Sequence, residues 1–105
     1  MAWVYLLLAG VCEIGWPLGL KLGWNDKGIQ PGWILMAMVA ILASGGLLML
    51  AQRTIPMGTA YGVWTGIGAV GAFVVGILMF GDSASTMRIV SILLITAGIV
   101  GLKMA

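Results

Sequence analysis

Four long apolar runs decide what this chain can fold into. They cover about residues 2–22, 32–51, 58–80 and 86–104, and short polar segments separate them. About 20 residues of helix cross the hydrocarbon core of a bilayer, so each run is long enough to span it. Of the 105 residues, 62% are hydrophobic and 8% are charged, which is more apolar surface than a soluble domain of this length can bury. We therefore predict an all-α membrane protein in which residues 1–105 form a single transmembrane domain of four helices.

The composition excludes several classes of function. A net charge of +2, scattered along the chain, is too small to indicate nucleic-acid binding. One cysteine and no histidine leave no disulfide framework and no zinc or haem site, so we expect neither a metal nor a cofactor. No nucleophile, base and orienting group can be assembled from these residues, and we do not expect an enzyme.

The segments between the apolar runs contain residues that are typical of helix ends. Residues 23–31 contain most of the turn-forming residue types and are predicted to be a loop. Ser83 or Ser85 is positioned to cap the fourth helix. The first run lacks a preceding basic segment and is too long for a signal-peptide core, so we expect it to remain as a membrane helix.

The basic residues give the chain almost no preferred orientation in a membrane. If all four helices span, Arg53 and Lys103 lie on one side, against Lys21, Lys27 and Arg88 on the other. A chain with so weak a bias can insert both ways round, and two opposed copies would supply an inverted repeat. Alternatively, the one-charge difference or the long first loop orients every copy alike.

A bundle of only four helices with one acidic residue is too small to enclose a polar pathway, so we expect the chain to self-associate. The chain has 17 glycines, and the third helix is especially rich in them. Small residues allow transmembrane helices to approach closely, so we predict that this helix is closely packed and able to bend. Ser91 and Gly98 lie seven residues apart, on one face of the fourth helix.

Glu13 is the only acid inside an apolar run, and it would lie near the middle of the bilayer. A carboxylate there is costly unless it is hydrated, paired or protonated, and such residues usually face an internal pathway. Trp16, at i+3, lies on the same face, and its indole N–H is predicted to donate to Glu13. Pro17 removes the N–H that would bind the Glu13 carbonyl, so a bend is expected there.

Further polar groups point to a cation site. On the third helix Tyr61, Trp64, Thr65 and Gly68 form one stripe, and Ser44 adds a hydroxyl from the second helix. Packing is the commoner use of such a stripe, and a lone membrane serine usually bonds its own helix. Since the membrane interior offers a carboxylate, aromatic rings and hydroxyls but no cation, we expect a cationic ligand that competes with protons for Glu13.

Three motifs resemble the small multidrug resistance family, and the resemblance covers essentially the whole chain. They are Glu13-x-x-Trp16, the run PMGTAYGVWTGIGA at residues 56–69 and the ending AGIVGLK at residues 97–103. Their details are similar to the guanidinium-exporter subtype. The chain departs from the pattern at Pro17 and Gly62, where alanine is usual, and in its longer first loop.

The resemblance implies a proton-coupled antiporter that exports guanidinium and small substituted guanidinyl cations by alternating access across the bacterial inner membrane. It also implies an antiparallel dimer of identical chains or of paralogous subunits. By the same resemblance, Glu13 of both subunits binds substrate or protons, with the site completed by Trp16, Ser44, Tyr61 and Trp64. Gly66 and Gly68 would belong to a hinge, and Ser91 and Gly98 to the packing of fourth helices across the dimer.

Three alternatives remain open. The first is an exporter of quaternary-ammonium or polyaromatic cations from the same family. The second is a proton-carrying rotor subunit, although such subunits usually have two helices with the acid in the second. The third is a membrane assembly subunit that does not itself transport.

Overall fold

Four long helices make up nearly all of the structure. The computed structural model describes every residue, Met1–Ala105. Its helices are α1 (Ala2–Gly23), α2 (Pro31–Ala51), α3 (Met57–Phe80) and α4 (Thr86–Met104). Each is long and apolar enough to cross a membrane, which confirms the predicted all-α membrane fold. The ends at residues 23, 31 and 57 lie one residue outside the predicted 22, 32 and 58.

The loop between α1 and α2 contains a very short hairpin that was not predicted. Strand β1 (Trp24–Asn25) pairs antiparallel with β2 (Gly28–Ile29). The Asn25 side chain accepts a hydrogen bond from the Lys27 backbone N–H at 2.9 Å, which tightens the turn. Strands of two residues are too short to show the alternation of apolar and polar residues that predicts a strand.

The helix ends follow from local chemistry. Gly81 ends α3 with a left-handed backbone (φ 67°), a conformation that glycine adopts without steric cost. Of the two candidate caps for α4 it is Ser85 that accepts a hydrogen bond from the Arg88 N–H, at 3.4 Å. Pro17 lies within α1, which continues through it as one helix to Gly23.

The helices form a slab rather than a closed bundle. The extents are 46 × 34 × 16 Å, so the molecule is less than half as thick as it is wide. Helix α1 packs along both α2 and α3, whereas α4 packs mainly against α3. Only 14 of the 105 residues are buried, and none of these belongs to α4. Most of the apolar surface therefore needs lipid or a second chain to cover it.

A cation–π contact joins the two chain ends at one edge of the slab. The Lys103 ammonium lies 4.9 Å from the centre of the Trp3 ring. This contact brings the last turn of α4 to the first turn of α1, so these two helices run in opposite directions. The hairpin and the α3–α4 connection consequently lie at the opposite end of the molecule.

Replacement of Ser85 tests the assignment of the α4 cap. We expect Ser85→Ala to lower the free energy of unfolding by about 0.5–1 kcal/mol, because the Arg88 N–H loses its acceptor. Denaturation of the purified protein in mixed micelles, followed by circular dichroism, measures the change. Ser83→Ala is the matched control. Equal effects of the two substitutions would contradict the assignment.

Candidate functional site

Glu13 lies in the middle third of α1, half-buried against α3. Its side chain packs on Gly68, where an added Cβ would lie 2.6 Å from the Glu13 Cγ. That distance is too short for two carbon atoms, so any larger residue at position 68 would displace the carboxylate. The place of Glu13 is thus fixed in part by the absence of a side chain on α3.

Ser44 on α2 connects the three central helices. It is completely buried. Its Oγ lies 2.7 Å from the Ala9 carbonyl oxygen and 3.3 Å from Oε2 of Glu13, both on α1. The same Oγ accepts a hydrogen bond from the Trp64 indole N–H on α3, at 2.7 Å. One hydroxyl therefore has partners on both neighbouring helices.

The two acceptors on α1 compete for the single Ser44 proton. Hydroxyl donors usually lie about 2.7–2.8 Å from their acceptors, so the bond to the Ala9 carbonyl has the better geometry. The Glu13 oxygen, at 3.3 Å, is held more loosely. Glu13 is accordingly oriented by Ser44 without being locked to it.

Trp16 does not donate to Glu13, contrary to the prediction from their spacing. Hydrogen-bonding to the carboxylate comes from Ser44, which in turn is held by Trp64. Residues at i and i+3 differ by about 60° around a helix. That angle allows Glu13 to face α2 while the half-buried Trp16 indole lies outside hydrogen-bonding reach of it.

The residues of the predicted α3 stripe have different environments. The Tyr61 and Trp64 rings lie with their centres 5.5 Å apart, tilted by 47°. Tyr61 is 56% exposed, whereas Trp64 is half-buried where it meets Ser44. The Thr65 hydroxyl donates to the Tyr61 carbonyl within its own helix. The stripe therefore contributes one indole N–H to the site and leaves a phenol facing outward.

The remaining predicted residues divide between the inside and the outside of the chain. Gly66 is buried against α4, where an added Cβ would lie 2.8 Å from Cδ1 of Ile99. Ser91 is exposed and donates to the Met87 carbonyl of its own helix at 2.8 Å. Gly98 is also exposed, and no atom outside its own helix backbone lies near it. Neither α4 residue has a partner on another helix.

No basic side chain lies within 4.0 Å of the Glu13 carboxyl oxygens. The next charged residue along α1 is Lys21, which lies eight residues further on, or about 12 Å along the axis. The site therefore combines an uncompensated carboxylate with a hydroxyl and an indole, which suits a cationic ligand. The sequence did not predict that the Ala9 carbonyl belongs to this network, because every residue has a backbone carbonyl.

Comparisons with known proteins agree on one family. A family model described as Small Multidrug Resistance protein matches residues 1–95. The chain is 50% identical to a guanidinium exporter of Citrobacter freundii over 105 residues, which are all of this chain and 98% of that protein. It is 49% identical to a guanidinium exporter of Yersinia pseudotuberculosis over the same length, covering 99% of that protein. These relatives are named as transporters and not as enzymes.

Removal of the Ser44 hydroxyl tests its structural role. We expect Ser44→Ala to lower the free energy of unfolding by about 1–3 kcal/mol, because the Trp64 N–H loses its acceptor inside the protein. Ser91→Ala is the control, since that hydroxyl bonds only its own helix, and it should change stability by less than about 0.5 kcal/mol. Denaturation in mixed micelles measures both. Similar values for the two variants would contradict the role of Ser44.

Gly68→Ala tests the packing of Glu13 on α3. The added methyl group would overlap the Glu13 Cγ, so we expect a loss of about 1–3 kcal/mol in the free energy of unfolding. Gly58→Ala, at an open position of the same helix, should be neutral or slightly stabilising. The same denaturation assay reports both. A neutral Gly68→Ala would show that Glu13 packs elsewhere.

Proposed function

Because the chain belongs to the small multidrug resistance family, we propose that it is a proton-coupled antiporter that exports guanidinium and small substituted guanidinyl cations. The observation that carries the proposal is Glu13, a half-buried carboxylate without a counter-ion in the middle of a membrane-length helix. The names of the relatives, guanidinium exporter, supply the substrate class.

Guanidinium fits this site on chemical grounds. It is planar, keeps its charge at any physiological pH, and presents paired N–H donors that match the two oxygens of a carboxylate. Aromatic faces also attract it, and Trp64 and Tyr61 lie on the helix that packs against Glu13. A simple ammonium ion would also bind the carboxylate, but it lacks the planar pair of N–H donors that matches both oxygens.

Ser44 is suited to both protonation states of Glu13. Its hydroxyl can donate to the ionised carboxylate, and its second lone pair can accept from the protonated acid while the first is occupied by Trp64. A proton and a guanidinium ion would therefore take turns on Glu13 with the surrounding side chains in place. This exclusive occupancy would couple the two fluxes without a separate proton site.

A second copy of the chain, inserted the other way round, completes the proposed transporter. The slab leaves most apolar residues uncovered, and α4 has no buried residue. Ser91 and Gly98 face outward on α4, where they would pack against the α4 of the partner. The small charge bias allows both orientations, and an identical or a paralogous chain could serve as partner.

Alternating access would then switch the paired Glu13 residues between the two sides of the membrane. Gly66 and Gly68 are proposed as the hinge, because glycine lowers the cost of bending a helix. In the single conformation of the structure, α3 continues through both glycines. Four spanning helices and relatives from enteric bacteria support placement in the bacterial inner membrane.

Replacement of Glu13 by glutamine tests the proposed function. Proteoliposomes that contain this chain alone should accumulate labelled guanidinium in response to a pH gradient. Glu13→Gln should reduce uptake to that of protein-free liposomes, because the amide can neither bind the cation as a counter-ion nor carry the proton. Asp26→Asn, which removes an exposed acid in the hairpin turn, is the control and should transport normally.

Proton release separates coupling from simple uptake. Addition of guanidinium to weakly buffered, detergent-solubilised protein should acidify the medium, and Glu13→Gln should abolish the signal. Coupled transport that survives in Glu13→Gln would reject the site. Uptake of tetraphenylphosphonium in preference to guanidinium would favour the quaternary-ammonium subtype instead. Absence of any uptake by the unaltered chain would favour the assembly-subunit or heterodimer alternative.

A further inference from the structure

A crevice of about 180 Å³ lies between α1 and α3, beyond Glu13 toward the hairpin end of the molecule. Its walls are mainly apolar and include Pro17 and Leu18 of α1 and Val75 of α3. At the inner end the Ile14 side chain lies against Gly71, and Glu13 is not part of the crevice wall. The crevice is therefore distinct from the site around Ser44.

The outer end of the crevice carries an aromatic ring and a charge of each sign. The Lys21 ammonium lies over the Phe80 ring, 4.6 Å from its centre. Asp82 also lines the crevice, with its carboxylate against the backbone of Gly76. Lys21 and Asp82 nevertheless form no ion pair, since their charged atoms are more than 4.0 Å apart. Neither charge is neutralised by a direct partner.

We propose that Phe80 and Asp82 form a peripheral site for a guanidinium-type cation, in which Lys21 acts as an internal stand-in for the ligand. An aromatic face beside a carboxylate is a general recognition pattern for organic cations, and the Lys21 ammonium already occupies the aromatic half of it. A guanidinium ion would replace Lys21 there, because its planar cation can stack on the Phe80 ring with one edge turned toward Asp82, which lines the same crevice.

The position of this site gives it a place in the proposed transport cycle, on which this inference rests. Lys21 lies about 12 Å along α1 from Glu13, in the last turn of the helix. The crevice extends inward from there to Ile14, the neighbour of Glu13 in sequence. A cation held at Phe80 and Asp82 would thus be concentrated one step outside the central carboxylate. The apolar walls would accept a small hydrocarbon substituent.

The same end of the molecule provides matched controls. Lys27 and Asp26 in the hairpin turn carry the same charges as Lys21 and Asp82, and neither lines the crevice. Replacement of either control residue changes the surface charge without touching the proposed site. Phe73, the other phenylalanine of the chain, also lies on α3 and is not part of the crevice wall.

A binding experiment tests the site independently of transport. In the Glu13→Gln protein with ring-labelled phenylalanine, titration with guanidinium should shift the NMR signal of Phe80 and leave that of Phe73 unchanged. Urea, which has nearly the same shape but no charge, should shift neither. Asp82→Asn should weaken the response of Phe80, and Asp26→Asn should not. An unresponsive Phe80, or equal shifts of both rings, would overturn the proposal.

Transport kinetics supply the second readout. Lys21→Gln removes the stand-in cation, so the KM for guanidinium should fall by about two- to fivefold with kcat unchanged, the range expected for one exposed cation–π contact. Lys27→Gln should change KM much less. Equal changes in KM for the two variants would show that only the surface charge matters, and would overturn the proposal. If Phe80 responds in a chain that does not transport, the proposed function fails and the peripheral site stands. If the chain transports and Phe80 does not respond, the reverse holds.

Discussion

One buried hydroxyl, that of Ser44, holds the centre of this structure together. Lipid supplies no hydrophobic drive between helices, so close packing and hydrogen bonds must keep membrane helices in register. Ser44 donates to α1 at the Ala9 carbonyl and accepts from α3 at the Trp64 indole. Because both partners are satisfied within the protein, the three helices share a fixed relative height and rotation. Glu13 takes its position from that arrangement.

The same arrangement explains why Glu13 remains available. A carboxylate paired with a lysine would have little affinity left for another cation. Here the nearest lysine on α1 lies over the Phe80 ring, and the Ser44 proton is directed chiefly at a backbone oxygen. Gly68 and Ser44 therefore orient Glu13, and neither is a cation that would pair with its carboxyl group. A site that must exchange its occupant benefits from such partial restraint.

The sequence predicted the helices well and the contacts between them poorly. The lengths of the apolar runs predicted the four membrane spans. Residue type limited the candidate caps of α4 to two serines, of which Ser85 is the one used. Spacing along one helix suggested Trp16 as the donor to Glu13. The structure instead connects Trp64 to Glu13 through Ser44. Pairs on different helices depend on rotation and relative height, which a single sequence does not encode locally.

The contact between Lys21 and Phe80 was missed for the same reason, since the two residues are far apart in sequence and meet only because α1 and α3 pack side by side. Each residue alone has an ordinary explanation, one as a basic helix end and the other as an apolar one. Their combination with Asp82 becomes visible only when the crevice between the helices is known.

The chemistry of guanidinium, the proposed substrate, favours a site that two chains share. The ion carries N–H groups on all three nitrogens, while Glu13 offers two oxygens that face one edge of the ion. Ser44 adds at most one acceptor, the lone pair that the Trp64 indole leaves free. Donors left without acceptors at mid-membrane would cost several kcal/mol each. A second carboxylate would bind the other edge of the ion, and in the proposed dimer a second copy of Glu13 would supply it. In that proposed dimer, the second chain would cover the exposed Tyr61 phenol and the unpacked α4.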